Sequence, residues 1–155
     1  METELMNAKK INPKITSVVS IRMVKEAEVE YEKPISSPGA AAKLLYPFFK
    51  DLDREHFYVV CLSTQKEVTA INLVAVGRLN AANIEMKDVL KPAILSNADS
   101  ILVAHNHPSG HPSFSKNDKV FTRRLREAAQ LFHIDLVDHI LFYGPKEHDV
   151  VSYCL

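Results

Sequence analysis

Residues 100–104 run Ser-Ile-Leu-Val-Ala, a strand-length block with no polar residue after Ser100. Alternation would leave one face wet; its absence predicts a strand buried on both faces. Such a strand sits inside a sheet that helices cover on each side, so the expected class is α/β with a mixed sheet. The flanking segments supply the covers. A helix is predicted over 38–52, capped by Ser37, with Leu44, Leu45, Phe48 and Phe49 on its apolar face. Residues 56–62 and 68–76 read as a hairpin across the polar turn Ser63-Thr64-Gln65-Lys66, ending at Gly77. A second helix is expected over 87–98, with Pro92 in its first turn. A third is expected over 116–132, where Phe121, Leu125, Ala128 and Phe132 recur at helical spacing. Strands are expected at 134–142 and 150–154.

Residues 1–36 read as a lead-in that joins a β-branched run over 15–23, a candidate edge strand, to an acidic stretch at 26–33. Residues 37–155 are expected to form one domain, since 155 residues support one sizeable core. Lys plus Arg total 19 and so do Asp plus Glu, so the formal net charge is zero. That balance argues against a general electrostatic grip on nucleic acid. Lys9, Lys10 and Lys14, and the pair Arg123 and Arg124, read as solvated surface. Cys61 and Cys154 lie in apolar, strand-like runs and read as two buried free thiols. No apolar block marks a leader or a membrane span of ~18 residues, and the expected compartment is the cytoplasm.

The chemistry lies in the segment that follows the buried strand: His105-Asn106-His107-Pro108-Ser109-Gly110-His111-Pro112-Ser113-Phe114-Ser115-Lys116-Asn117-Asp118. Residues i and i+2 at a strand end point to the same side, with Cα atoms roughly 6.5–7 Å apart. His105 and His107 can therefore meet at one metal ion. The Pro/Gly loop turns the chain back, and Asp118, in the first turn of the next helix, returns a carboxylate to the strand end. Two imidazoles and one carboxylate suit zinc and leave one position for water, which separates a catalytic zinc from a structural one. Ser115-x-x-Asp118 also reads as a capping box, and the two roles coexist. His111 as a fourth protein ligand would close the site, so it is left out of the set. His139 reads as a satisfied interior histidine or as a partner behind a ligand. His56 and His133 carry no signal.

His-x-His, seven residues, then Ser-x-x-Asp resembles the motif of the JAMM/MPN metalloproteases. The strings HNHPSG, LSNADSILVA and IDLVDHILFYG resemble the RadC group within that superfamily, over about residues 37–144. The resemblance implies a JAB/MPN domain with a three-layer fold like that of the cytidine deaminases, a mixed sheet with helices on both faces. It implies zinc on His105, His107 and Asp118, a water as fourth ligand, and Ser115 as oxyanion support. It also implies a glutamate general base from the element before the hairpin. Glu55, 50 positions before His105, occupies that place, with Glu67 and Glu85 as weaker candidates. Two departures matter. RadC-type proteins often carry an N-terminal helical domain of a DNA-binding kind, which is not expected within 155 residues. They also usually show a His-Pro-Arg-Glu string before the central helix, where this chain reads Glu85-Met86-Lys87-Asp88.

The implied activity is hydrolysis of an amide or isopeptide bond in a protein or peptide substrate by metal-activated water. Glu55 would take the water's proton and Ser115 would support the oxyanion. The alternative is a RadC-like factor associated with DNA repair that binds nucleic acid, or a scaffold that keeps a metal for stability and catalyses nothing. The nucleobase deaminases of similar fold use a Pro-Cys-x-x-Cys zinc site, which this chain lacks. A homodimer through the strand-like N-terminal segment is the expected self-association, and no membrane partner is expected.

Overall fold

The computed structural model describes residues 14–32, 34–77 and 84–153. At its centre lies β3 (Ser100–Asn106), all seven residues of which are buried. β1 (His56–Leu62) pairs with it antiparallel on one edge, and β4 (Asp135–Phe142) pairs with it parallel on the other. β2 (Val68–Val76) and β5 (Val150–Ser152) add antiparallel outside these, giving the order β2-β1-β3-β4-β5. The sheet is mixed because a parallel neighbour requires a crossover. That crossover is α3 (Lys116–Gln130), which shares one face of the sheet with α2 (Met86–Leu95). The other face is covered by α1 (Pro38–Phe49).

The two faces follow from the two-residue period of the strands. Phe57, Val59, Cys61, Ile101 and Val103 pack with Val89, Leu90 and Ala93 of α2 and with Phe121, Leu125 and Ala129 of α3. Val60, Leu62, Leu102, Ala104, Ile140 and Phe142 pack with Ala41, Ala42, Leu44, Leu45 and Phe49 of α1. The result is a three-layer α/β fold, the class expected for a JAB/MPN domain.

All three helices end earlier than their apolar periodicity suggests. Asp51, Asn97 and His133 adopt left-handed backbone (φ 60°, 52° and 56°) just past the ends of α1, α2 and α3. A left-handed residue there closes a helix, and Asp, Asn and His tolerate it best after glycine. The sequence carries no glycine at these stops. Leu52 and Phe132, read as helical, lie past the last residues of α1 and α3. Pro92 is not in the first turn of its helix. α2 starts at Met86, so the proline sits in the second turn and removes one internal hydrogen bond. β3 is longer than the apolar run, because His105 and Asn106 continue its ladder opposite Leu141 and Phe142.

Residues 14–32 make no strand, so the edge strand expected over 15–23 is not found. Ile15 and Val18 are almost wholly exposed, at 96% and 102%. β-branched composition without a paired edge gives no ladder. The segment meets the body at Tyr31, whose hydroxyl accepts the Val68 N–H at 2.9 Å. Ile35 then donates its N–H to the Lys66 carbonyl at 2.9 Å. Cys61 is a free, buried thiol, and burial pushes its pKa up to about 11. Cys154, Lys9 and Lys10 lie outside the described residues; Lys14, Arg123 and Arg124 are exposed. Among the described residues, no helix is long and apolar enough to cross a membrane.

Candidate metal centre

His105 is the sixth residue of β3 and shares a side with Ile101 and Val103, so its ring points under the N-terminus of α3. His107 follows two residues later, its backbone N–H held by the Phe142 carbonyl at 2.8 Å. The two Nε2 atoms stand 3.2 Å apart. Beyond His107 the chain turns at Gly110 (φ 77°), whose N–H donates to the His107 carbonyl at 2.9 Å. That turn brings the His111 carbonyl within 3.1 Å of His107 Nδ1. A carbonyl only accepts, so His107 Nδ1 carries the hydrogen and Nε2 presents a lone pair. The His111 ring points elsewhere, to the Ser113 hydroxyl at 2.9 Å.

Asp118 arrives from the first turn of α3. Its Oδ1 lies 3.6 Å from His105 Nε2 and its Oδ2 3.5 Å from His107 Nε2. The capping box fixes it there. Ser115 Oγ accepts the Asp118 N–H at 3.1 Å, and Asp118 Oδ2 accepts the Ser115 N–H at 2.7 Å. One donor atom from each of His105, His107 and Asp118 thus falls within 4.8 Å of the others. Ligands ~2.0–2.1 Å from a tetrahedral ion stand roughly 3.4 Å from one another. The 3.2 Å between the two Nε2 atoms is close to that spacing, and each Nε2 has its own Asp118 oxygen at 3.5–3.6 Å. Facing lone pairs beside a carboxylate repel, so the arrangement calls for a cation at its centre, proton or metal. The three residues fit a divalent metal ion.

The electrostatics agree. Burial opposes ionisation of Asp118, yet the facing His105 and His107 rings outweigh it and hold the carboxyl well below the usual carboxylate range. The hydrogen bond to Asp118 raises the pKa of His107 against the effect of burial, with the His111 carbonyl and the charges of Asp118 and Glu55 adding to the rise. Burial drives His139 well below the usual imidazole value. His139 is an interior histidine with partners on both ring nitrogens: His105 Nδ1 at 2.8 Å and Thr122 Oγ1 at 2.6 Å. Phe57 and Phe114 flank the His105 ring at centroid distances of 6.2 and 5.7 Å and close the inner side of the site.

Glu55 lies at the entry to β1, its carbonyl accepting the Gly77 N–H at 2.8 Å. Its charge reaches His107, and with Asp53, Arg54, Gly77, Pro108 and Ser109 it lines a cleft of about 500 Å³ beside the cluster. Glu67 is at the opposite end of β1, in the turn to β2, and Glu85 caps α2 and pairs with Lys87 at 2.7 Å. Sequence reading overlooked Asn106. Its Oδ1 accepts the His56 N–H at 2.7 Å and its Nδ2 donates to the Arg54 carbonyl at 3.1 Å, so one buried side chain brackets Glu55 from both sides. The available signal was parity: between two histidines that share a side, Asn106 must face the other way, and a buried amide needs partners.

A family model described as the RadC-like JAB domain matches residues 35–154. A UPF0758 protein of Chloroflexus aurantiacus is 39% identical over 120 residues, which is 77% of this chain and 52% of that protein. UPF0758 proteins of Roseiflexus castenholzii and Desulfitobacterium hafniense are 44% and 41% identical over 107 residues, 69% of this chain and 46% and 47% of theirs. The chain spans about half the length of the curated relatives it matches. The fold, the match over residues 35–154 and these relatives agree: the chain belongs to the RadC-like JAB domain family.

Proposed function

We propose that this domain is a zinc-dependent hydrolase of the JAMM type, cleaving an amide or isopeptide bond in a protein or peptide substrate. The observation that carries this reading is the convergence of one ligand atom each from His105, His107 and Asp118 within 4.8 Å of one another, next to the cleft lined by Glu55 and Pro108. Two nitrogens and one carboxylate suit zinc and use three of its four positions. When bound, the ion supplies Lewis acidity, worth several kcal/mol to developing oxyanion charge.

The chain's own residues do the rest. Asn106 holds the backbone on both sides of Glu55, which lines the cleft. Glu55 takes a proton from the attacking water and returns it to the leaving nitrogen. Ser115 Oγ already accepts from the Asp118 N–H, so its single hydrogen is available to donate to the oxyanion. One such donor is worth roughly 2.7–4 kcal/mol. The rings of Phe57 and Phe114 exclude water from the inner side and strengthen every charge interaction there.

The test is a paired substitution. Glu55→Gln should keep its zinc and lose turnover on peptide and isopeptide substrates, by about 10²–10⁴-fold. A Glu55→Gln protein with full activity removes Glu55 from the chemistry. If no peptide or isopeptide is cleaved by the zinc-loaded wild type, the hydrolase reading fails.

A further inference from the structure

The geometry points to Thr122 and His139 as positioning residues that fix the ring tautomer of His105, turning its Nε2 lone pair into the site. The inference rests on the metal-centre reading for its binding consequence and on hydrogen-bond direction for the rest.

Thr122 stands one helical turn after Asp118, so α3 carries both on one face. Its Oγ1 lies 2.7 Å from the Asp118 carbonyl and 2.6 Å from His139 Nδ1. His139 Nε2 in turn lies 2.8 Å from His105 Nδ1. Thr122 is wholly buried, and His139 and His105 are each 1% exposed, so bulk water does not take part.

A hydroxyl has one hydrogen, and that hydrogen decides the whole chain. If it goes to the Asp118 carbonyl, His139 Nδ1 must donate to Thr122. His139 Nε2 is then an acceptor, His105 Nδ1 donates to it, and His105 Nε2 is left with a lone pair. If instead the hydroxyl donates to His139 Nδ1, every step reverses and His105 Nε2 carries a hydrogen that blocks a metal. The second arrangement also sets two oxygens 2.7 Å apart with no hydrogen between them. That distance is the ordinary length of an O–H···O hydrogen bond. The first arrangement is therefore the one adopted.

A histidine ligand ordinarily donates its second ring N–H to a carboxylate, carbonyl or water. Here a second imidazole accepts it, and a threonine on the helix that supplies Asp118 polarises that imidazole. Each ring is held in place by its neighbours: His139 sits opposite Val103 in the β3–β4 register, and Phe114 packs 5.0 Å from its ring.

The experiment uses the full chain and two readouts. The first is nitrogen-15 NMR of the histidine rings in the metal-free protein, above the titration range of His107. His105 and His139 are both expected to carry hydrogen on Nδ1. The second is zinc affinity by competition with a chelating dye. Thr122→Val keeps the shape and deletes the acceptor. It is expected to move His105 towards the Nε2–H form and to weaken zinc binding by about 10–100-fold. Thr122→Ser is expected to restore both. A wild-type His105 with hydrogen on Nε2, or a Thr122→Val protein with unchanged tautomer and affinity, overturns the inference. If Thr122→Val does not fold, the wild-type spectrum decides alone. A wild type with the Nδ1–H form that binds no zinc upholds the tautomer lock while sinking the metal reading.

Discussion

Single residues in this site carry several duties. Asp118 caps α3, receives the Ser115 N–H and faces both imidazoles. Asn106 spends both halves of its amide on the backbone around Glu55. Asn106→Ala removes that bracket and leaves the metal residues untouched. It should retain zinc and lose about 10²-fold in kcat, the cost of misplacing a catalytic group by about 1 Å; steady-state kinetics with metal analysis would check this, and unchanged kcat would refute the positioning role. The titrating residues set a pH dependence. His107 in the metal-free fold lies above its ordinary 6.5, so the stability it adds is complete below that value and is lost as pH rises through the folded one. His139 lies well below 6.5, so its contribution is complete above 6.5 and is lost as pH falls. The two slopes oppose. Metal-free protein should therefore melt highest near pH 6.5, and zinc, by displacing the His107 proton, should abolish the loss on the alkaline side. A metal-free melting temperature that climbs steadily through the neutral range would contradict this.

At the level of elements, the start of α3 supplies a candidate ligand, a cap and a hydroxyl within residues 115–118. Cap and hydroxyl can be separated. Ser115→Ala should cost about 1 kcal/mol in stability, whereas Ser115→Gly should cost only a few tenths. Both delete the hydroxyl, so both should lower kcat by about 10²–10³. Denaturant melts with kinetics would check the pair, and a glycine variant with full turnover would take Ser115 out of the mechanism. Elements were also where the sequence was most and least legible. The run after Ser100 announced a doubly buried strand, and Ser115-x-x-Asp118 announced a capping box, because both patterns have a direct physical cause. Helix ends were overrun because Asp51, Asn97 and His133 stop the helices by backbone conformation rather than through glycine. The β-branched run over 15–23 looked like a strand because composition records propensity and says nothing of a partner edge.

Across the whole molecule, the candidate centre ties together two layers of the fold. His105 and His107 belong to the end of the central strand, and Asp118 to a helix on one face, joined only by the loop over 108–114. The layering itself was readable, since strands apolar on both sides demand two covers. Most of the network behind the site was not: Thr122 and His139 are 17 and 34 residues from His105, Asn106 is 51 from Glu55, and the register of β3 with β4 and β1 brings these partners together. A metal ion at this joint should stabilise the fold by about 2.7 kcal/mol at a free concentration 100 times its Kd. The most direct measurement is elemental analysis of the purified chain before and after chelation, beside His107→Ala. Stoichiometric zinc that a chelator removes, and that His107→Ala fails to bind, is the predicted result. No bound metal in the wild type, or equal zinc in His107→Ala, would contradict the account.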